Sequence, residues 1–291
     1  MFKGSIVALV TPFKNGGINY DGLKKLLEYH EKHKTDAVLL SGTTGESPTL
    51  SFDEKIELFR FGKKNTSIPI IAGTGNYNTQ ETIEMTREAE KIGVDGALVI
   101  TPYYNKPTQK GLFEHFRAVA DNTKLPIIVY NVPGRTGVSI SPDVVGELSK
   151  IENIVAIKEA SGSLRQCFSI WQKARKGFTI LSGEDGLTIP ILSVGGKGVI
   201  SVTANIVPEL VKQMVDTYLG GDTQKAMELH YKLLPLTDAM FIETNPIPVK
   251  TGLRLMGFDV GPLRLPLVDP EEESLKVIKG EIEKIGRSIV Q

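Results

Sequence analysis

A lysine stands inside the apolar run IVAIKEASGS, Ile154 to Ser163, and no other strand-like run of the chain has a lysine in its interior. An unperturbed lysine, with a pKa near 10.4, is neutral in only about one molecule per few thousand at pH 7, and burial disfavours the charged form. A neutral amine attacks a ketone. Lys158 is therefore a candidate for a Schiff base with a carbonyl substrate, turning that substrate into an enamine nucleophile. Strand alternation puts Lys158 on one face with Ile154 and Ala156, opposite Val155, Ile157 and Glu159. If that face is the inside of a barrel, the amine enters its mouth; a stem snorkelling from an outer face to solvent is the other reading. Imine chemistry moves protons to and from a carbinolamine oxygen and an enamine carbon, so hydroxyls must lie close by. Tyr130 ends the preceding apolar run, and Thr43, Thr44 and Tyr104 stand at the ends of two others. Singly, each could be a hydroxyl satisfied by a backbone carbonyl; with the amine they make an acid/base chain. Arg135, in the Pro-Gly turn of YNVPGRTG, offers a two-pronged fork to a carboxylate, with a surface salt bridge as its alternative.

These groups need a frame that brings segments far apart in sequence to one place. Eight short runs rich in Val, Ile and Leu recur at residues 5–10, 37–42, 68–73, 96–101, 126–131, 154–159, 178–183 and 198–203. Between them lie segments such as DGLKKLLEYHEKHK, SFDEKIELFRFGKKN, TQETIEMTREAEKIG and LFEHFRAVADNT, whose apolar residues return every three or four positions, as helices require. Ser51 followed by Glu54 makes a capping box, and Ser141 before Pro142 an N-cap with proline in the first turn. Strands apolar on both faces belong to a parallel sheet covered by helices, and eight strand–helix units are the number at which such a sheet closes. The fold class read from this pattern is α/β, a TIM (β/α)8 barrel over residues 1–221. An open doubly wound sheet would more often carry a Gly-rich dinucleotide turn after its first strand, where this chain has VTPFKNGG. Residues 222–291 read as a C-terminal unit of three helices. In such a barrel the chemistry gathers where strands end, and here the ends carry GTTGE, GTGN, TPYYN, YNVPGRTG, KEASGS, SGED and SVTAN.

Composition narrows the partners. Of 291 residues, 34 are basic and 34 acidic, so no charge excess points to nucleic acid or a membrane surface, and a small-molecule substrate is expected. The single cysteine, Cys167, excludes an internal disulfide framework, and no apolar run approaches the roughly 18 residues of a membrane span. With no cleavage pattern after MFKGSIVALVTPF, a soluble cytoplasmic protein is expected. GTG at 73–75 and GGKG at 195–198 lack the context of a nucleotide loop and read as turns. His30 and His33 share a helix at a spacing that could hold a metal but lie among lysines and read as solvated, while His115 and His230 are isolated; no metal site is expected.

On GTTGES, TPYYNKP, YNVPGRTG, IKEASG and GVISVTAN, in that order and spacing, the chain resembles the pyruvate-dependent class I aldolases that include N-acetylneuraminate lyase. The resemblance runs from GSIVALVTPF to NPIPVK and LRLPL. It implies the Schiff-base role for Lys158 and a relay of Tyr130, Thr43 and Tyr104, the last reaching into a neighbouring subunit's site. It also implies that Thr44 binds the carboxylate of pyruvate, that Gly183 and Ile200 line the pocket, and that Arg135 receives the carboxylate of an acceptor. Arg135 and the paired tyrosines of TPYYN suit a short amino-acid aldehyde, so the implied reaction condenses pyruvate with L-aspartate 4-semialdehyde to 4-hydroxy-tetrahydrodipicolinate, on the route to diaminopimelate and lysine. It requires no cofactor, and the implied assembly is a homotetramer. A lyase acting on sialic acid or a keto-deoxy sugar acid would share the lysine, tyrosine and threonines but want other groups for a long polyol. A barrel that binds a keto acid without catalysis would tolerate loss of the relay, which this chain retains. The resemblance further implies an interface site for free lysine at Ser47, Glu81 and Tyr103. Here Phe52 and Lys55 stand where lysine-sensitive relatives can carry histidines, and Tyr77 replaces a small amide. A cationic Lys55 would repel the ammonium of lysine, with Glu81 offsetting part of that, so weak or absent inhibition is expected.

Overall fold

The computed structural model describes residues 2–287. The last helix read from the sequence runs on to residue 289 and the C-terminal unit to 291, so their ends lie outside the described residues. Eight parallel strands, β1 (Gly4–Ala8), β2 (Ala37–Leu40), β3 (Ile70–Gly73), β4 (Gly96–Ile100), β5 (Ile127–Asn131), β6 (Ile154–Glu159), β7 (Thr179–Ser182) and β8 (Gly198–Ser201), close into a barrel in chain order, β1 pairing with both β2 and β8. A small hairpin, Phe13–Lys14 with Gly17–Ile18, fills the loop after β1 and was not foreseen from the sequence.

Among the described residues twelve α-helices alternate with and follow these strands: α1 (Tyr20–Lys32), α2 (Phe52–Asn65), α3 (Thr79–Ile92), α4 (Gln109–Ala120), α5 (Pro133–Thr136), α6 (Pro142–Leu148), α7 (Leu164–Lys173), α8 (Thr188–Ser193), α9 (Pro208–Leu219), α10 (Thr223–Ala239), α11 (Ile247–Leu255) and α12 (Glu272–Lys284). The cap chemistry works as the sequence suggested. The Ser51 hydroxyl accepts from the Glu54 amide at 3.1 Å while Glu54 accepts from the Ser51 amide at 2.9 Å. Ser141 caps α6 by accepting from the Val144 amide, with Pro142 in the first turn where a missing N–H costs nothing.

Alternation along the strands sorts the apolar side chains into two cores. The inner one, Ile6, Ala8, Ala37, Leu39, Ile71, Leu98, Ile128, Ala156, Leu181 and Ile200, fills the barrel below Tyr130. The outer one lies between strands and helices and includes Val7, Val38, Ile70, Val129, Ile157 and Val199. Strand β6 departs from simple alternation: Ile127 of β5 pairs with Ile154, but Ile128 pairs with Ala156, so β6 carries one extra residue at that step. A bulge of this kind reverses the facing of what precedes it. Ile154 accordingly belongs to the outer core, correcting the expectation that it shares a face with Lys158, whereas Ala156 does face the interior.

Helix α1 supplies a second correction. His30 is fully buried instead of solvated, because it continues the Leu23, Leu26, Leu27 stripe at helical spacing, and its Nδ1 bonds the Thr35 hydroxyl at 2.8 Å. His33 is half-buried, 3.4 Å from a Glu209 carboxylate oxygen. Burial lowers the His30 pKa from its ordinary value of 6.5 to about 3. Between those values the unfolded chain binds a proton that the folded chain refuses, so this contribution to stability is complete above pH 6.5 and is lost as pH falls toward 3. Replacing His30 with Gln should flatten the decline in denaturant midpoint between pH 6.5 and pH 4; an unchanged slope would show that burial of this imidazole is not what the acid limb reports.

Candidate active site

Strand β6 delivers Lys158 to the upper end of the barrel interior, where it is only 5 % exposed. Its direct partner across the sheet is Tyr130, the register of β5 and β6 setting the two side by side on the inner face. The Lys158 Nζ lies 4.3 Å from the centre of the Tyr130 ring, over the π face. The lysine stem passes Gly183, which follows β7: a Cβ there would sit 3.0 Å from Lys158 Cγ and 3.1 Å from Cε. Glycine at this position is what leaves room for the amine. Ile200 belongs to the inner core beneath and is 1 % exposed.

Above the strands opens a cavity of about 220 Å³ lined by Thr43, Ser47, Lys55, Tyr103, Tyr130 and Arg135 among others. Its size suits molecules of a few heavy atoms, below the range of drug-sized ligand sites. Of the residues singled out in the sequence, Thr43, Tyr130 and Arg135 line this cavity, whereas Lys158 and Gly183 do not line it and reach it only through the contact of the Lys158 amine with the Tyr130 ring. Thr44, 2 % exposed, turns toward the C-terminal segment, and its Oγ accepts from the Asn245 side-chain nitrogen at 3.0 Å. That bond leaves the Thr44 proton free to be donated. Arg135 sits in the short helix α5 and donates to the Asn245 carbonyl at 3.1 Å. Tyr104 does not join the cavity of its own chain: it is 91 % exposed and held at φ +71°, a left-handed conformation rare for a tyrosine.

The residues expected to form a regulatory site are split between the cavity and the surface beside it. Ser47 accepts from the Ser41 hydroxyl at 3.1 Å, and Tyr77 and Tyr103 meet edge to face with ring centres 5.2 Å apart. Glu81 is fixed by the side-chain amides of Asn76 and Asn78, at 2.7 and 2.9 Å. Burial pushes the Lys55 amine below the usual lysine range, with the Glu81 charge opposing the shift. Phe52 lies exposed at the start of α2.

The sequence reading missed the groups that hold the rim together. Glu46, in GTTGES and at φ +55°, is buried against Lys250 of α11, with 2.6 Å between Oε1 and Nζ. Its other oxygen accepts the Arg264 amide at 2.9 Å, and both Lys250 and Arg264 lie over the Phe13 ring, at 4.2 and 4.1 Å. Burial lowers the Lys250 pKa from 10.5 to about 8, the Glu46 carboxylate opposing the shift. Through Glu46 and Asn245 the C-terminal helices grip the loop that carries Thr43 and Thr44. NPIPVK, which contains both Asn245 and Lys250, was a visible signal, but nothing local says that it faces a loop some 200 residues earlier. At the end of β7, Asp185 is buried and binds the Ser201 hydroxyl and the Val202 amide, fixing the turn after β8. Among the described residues no cluster of His, Cys, Asp and Glu could hold a metal ion, and no helix is long and apolar enough to cross a membrane.

Residues 1–285 match the Dihydrodipicolinate synthetase family. The chain is 52 % identical over 288 residues to 4-hydroxy-tetrahydrodipicolinate synthase 1 of Clostridium acetobutylicum, covering 98 % of each chain. Its structure overlays that of dihydrodipicolinate synthase from Aquifex aeolicus with a TM-score of 0.98 at 45 % identity, over the full length of both. It also overlays the lysine-bound enzyme of Cyanidioschyzon merolae with a TM-score of 0.95 at 40 % identity, covering 98 % of each chain. The chain belongs to the dihydrodipicolinate synthetase family.

The buried pair between barrel and appendix has a measurable consequence. Lys250→Met leaves Glu46 as an uncompensated buried carboxylate and should cost about 3–5 kcal/mol in denaturant unfolding. Glu46→Gln combined with Lys250→Met should recover much of that loss. A single variant of unchanged stability would show that the pair carries no such strain when broken.

Proposed function

We propose that this chain condenses pyruvate with L-aspartate 4-semialdehyde, through a Schiff base on Lys158, to give 4-hydroxy-tetrahydrodipicolinate on the route to diaminopimelate and lysine. The observation that carries the reading is the Lys158 amine, buried at the barrel mouth against Tyr130 and beside a small cavity that holds one arginine. The named activity of the relatives points the same way.

Lys158 adds to the ketone carbon of pyruvate, and loss of the carbinolamine oxygen as water needs a proton that Tyr130 is placed to pass on with Thr43. Thr44, its oxygen already accepting from Asn245, spends its proton on the pyruvate carboxylate. Loss of a proton from the methyl carbon gives the enamine, which attacks the aldehyde. Arg135 receives the acceptor's carboxylate and holds the aldehyde near the enamine. The acceptor's own amino group then displaces Lys158 and closes the six-membered ring, so the reaction balances without an oxidant, a metal or a cofactor. Gly183 and Ile200 give the imine its space and floor. The assembly proposed is a homotetramer in which Tyr104 completes the relay of a neighbouring subunit; its exposure, its left-handed backbone and its absence from the lining of its own chain's cavity support that reading. A cytoplasmic location accords with a biosynthetic role, and the domain division at residue 221 remains the one drawn from the sequence.

Turnover should be fast with pyruvate and aspartate semialdehyde and slow or absent with pyruvate and N-acetylmannosamine or glyceraldehyde; the reverse preference would assign a sugar-acid aldolase. Arg135→Ala should lower kcat/KM for the semialdehyde by roughly ten- to a hundredfold, the worth of a hydrogen bond to a charged group, while leaving imine formation with pyruvate nearly intact. Equal loss of both would make Arg135 a support of the first half-reaction.

For the regulatory set Ser47, Lys55, Tyr77, Glu81 and Tyr103, we propose weak or absent inhibition by lysine, since Lys55 sets an amine against the ligand's ammonium beside the cavity. Initial rates should change little at millimolar lysine. Half-maximal inhibition below about 1 mM, binding of roughly 4 kcal/mol or more, would contradict this and place Lys55 away from the ligand.

A further inference from the structure

Beside the inward-facing pair of Lys158 and Tyr130 stands a second pair that faces outward. The register of β5 and β6 sets Asn131 opposite Glu159, one residue beyond Tyr130 and Lys158. Alternation turns their side chains away from the lumen, into the dry layer beneath the helices, where Asn131 is 0 % and Glu159 2 % exposed. The Asn131 amide nitrogen donates to both oxygens of the carboxylate, at 3.2 and 3.0 Å. The same two residues hold the loops on either side. The Ser161 amide donates to Glu159 at 2.7 Å, and the Ile140 amide donates to the Asn131 side-chain oxygen at 3.2 Å. The Ala160 amide reaches the Asn131 carbonyl at 2.9 Å, and the Gly183 amide the Glu159 carbonyl at 2.8 Å. The loop carrying Arg135, the loop after Lys158 and the glycine beside the lysine stem are thereby tied to one point.

A buried carboxylate is costly unless its lone pairs are satisfied, and burial does push the Glu159 carboxyl above the usual range. Among the described residues no basic side chain lies within salt-bridge distance of it, so its charge is met by neutral donors, the side-chain amides of Asn131 and Gln166 and the amide and hydroxyl of Ser161. An Asn–Glu contact made this way fixes relative height: slippage between β5 and β6 would separate donor from acceptors and shift Tyr130 against Lys158 at the same time.

We propose that Glu159 and Asn131 are the positioning pair of the reaction, locking β5 to β6 from outside the barrel so that the Lys158 amine, the Tyr130 ring and the Arg135 loop stay in reacting geometry. The proposal rests on the Schiff-base reading above. Neither residue touches substrate; both act through their neighbours. Displacing reacting groups by about 1 Å can cost on the order of a hundredfold in rate, which sets the scale of the effect.

The test uses the full chain, pyruvate and borohydride, following the rate at which the reduced adduct forms, together with kcat, KM for pyruvate and circular dichroism at the assay temperature. Asn131→Asp sets two carboxylates against each other and should slow trapping and lower kcat by about tenfold or more in a folded chain, with KM for pyruvate little changed. The swap Asn131→Asp with Glu159→Gln restores one donor and one acceptor with their direction reversed, and should regain most of the lost rate. A trapping rate unchanged by Asn131→Asp, or a swap no faster than Asn131→Asp alone, overturns the proposal. Should Asn131→Asp not fold, Glu159→Gln sets two amides face to face and should still trap pyruvate severalfold more slowly, an unchanged rate again overturning it. Absence of trapping in the unmodified chain would bring down the Schiff-base reading and this proposal with it; normal trapping there with normal rates in the variants would sink the proposal alone.

Discussion

A buried amine has to be held in a fixed place by groups that do not hydrate it, and the rest of this structure answers to that constraint. Closure of eight strands supplies the apolar interior, packed mainly with Ile, Leu and Ala beneath Lys158. Register supplies the neighbour: Tyr130 lies beside Lys158 because β5 and β6 pair at those residues, and the extra residue near Val155 is absorbed at the lower end of the strand. Glycine at 183 supplies the space that any side chain would take from the lysine stem.

The mouth of the barrel is held from above by the C-terminal helices. Glu46, Lys250, Phe13 and Arg264 form one buried electrostatic and aromatic joint, and Asn245 ties Thr44 to the segment that also anchors Arg135. A buried ion pair is a poor way to gain stability but a good way to fix geometry, because either charge left alone is expensive. The helical appendix therefore belongs mechanically to the rim of the barrel mouth. The loop bearing the threonines is clamped between β2 and α11.

Much of this was legible in the sequence, for definite physical reasons. Eight apolar runs, alternating with helical stripes, left little choice but a closed parallel sheet, and the ends of those runs named the rim. Lys158 stood out because an ammonium is the wrong group for a strand that is apolar on both faces. What escaped was whatever depends on long-range contact. Nothing near Glu46 announces Lys250, and nothing near Asn245 announces Thr44. The facing of Ile154 was misjudged because a bulge leaves no mark in composition, and His30 was misjudged although Leu23, Leu26 and Leu27 spelled out its face. Tyr104 shows the opposite limit: a single chain leaves it in solvent, and its role as proposed exists only in an assembly.

The central claim is that covalent chemistry passes through one amine, and peptide mapping after borohydride reduction in the presence of pyruvate tests it most directly. One reduced pyruvate per chain is expected, carried on the peptide that contains Lys158, with no adduct in Lys158→Ala. An adduct on another lysine, or full turnover of pyruvate and aspartate semialdehyde by Lys158→Ala, would contradict it.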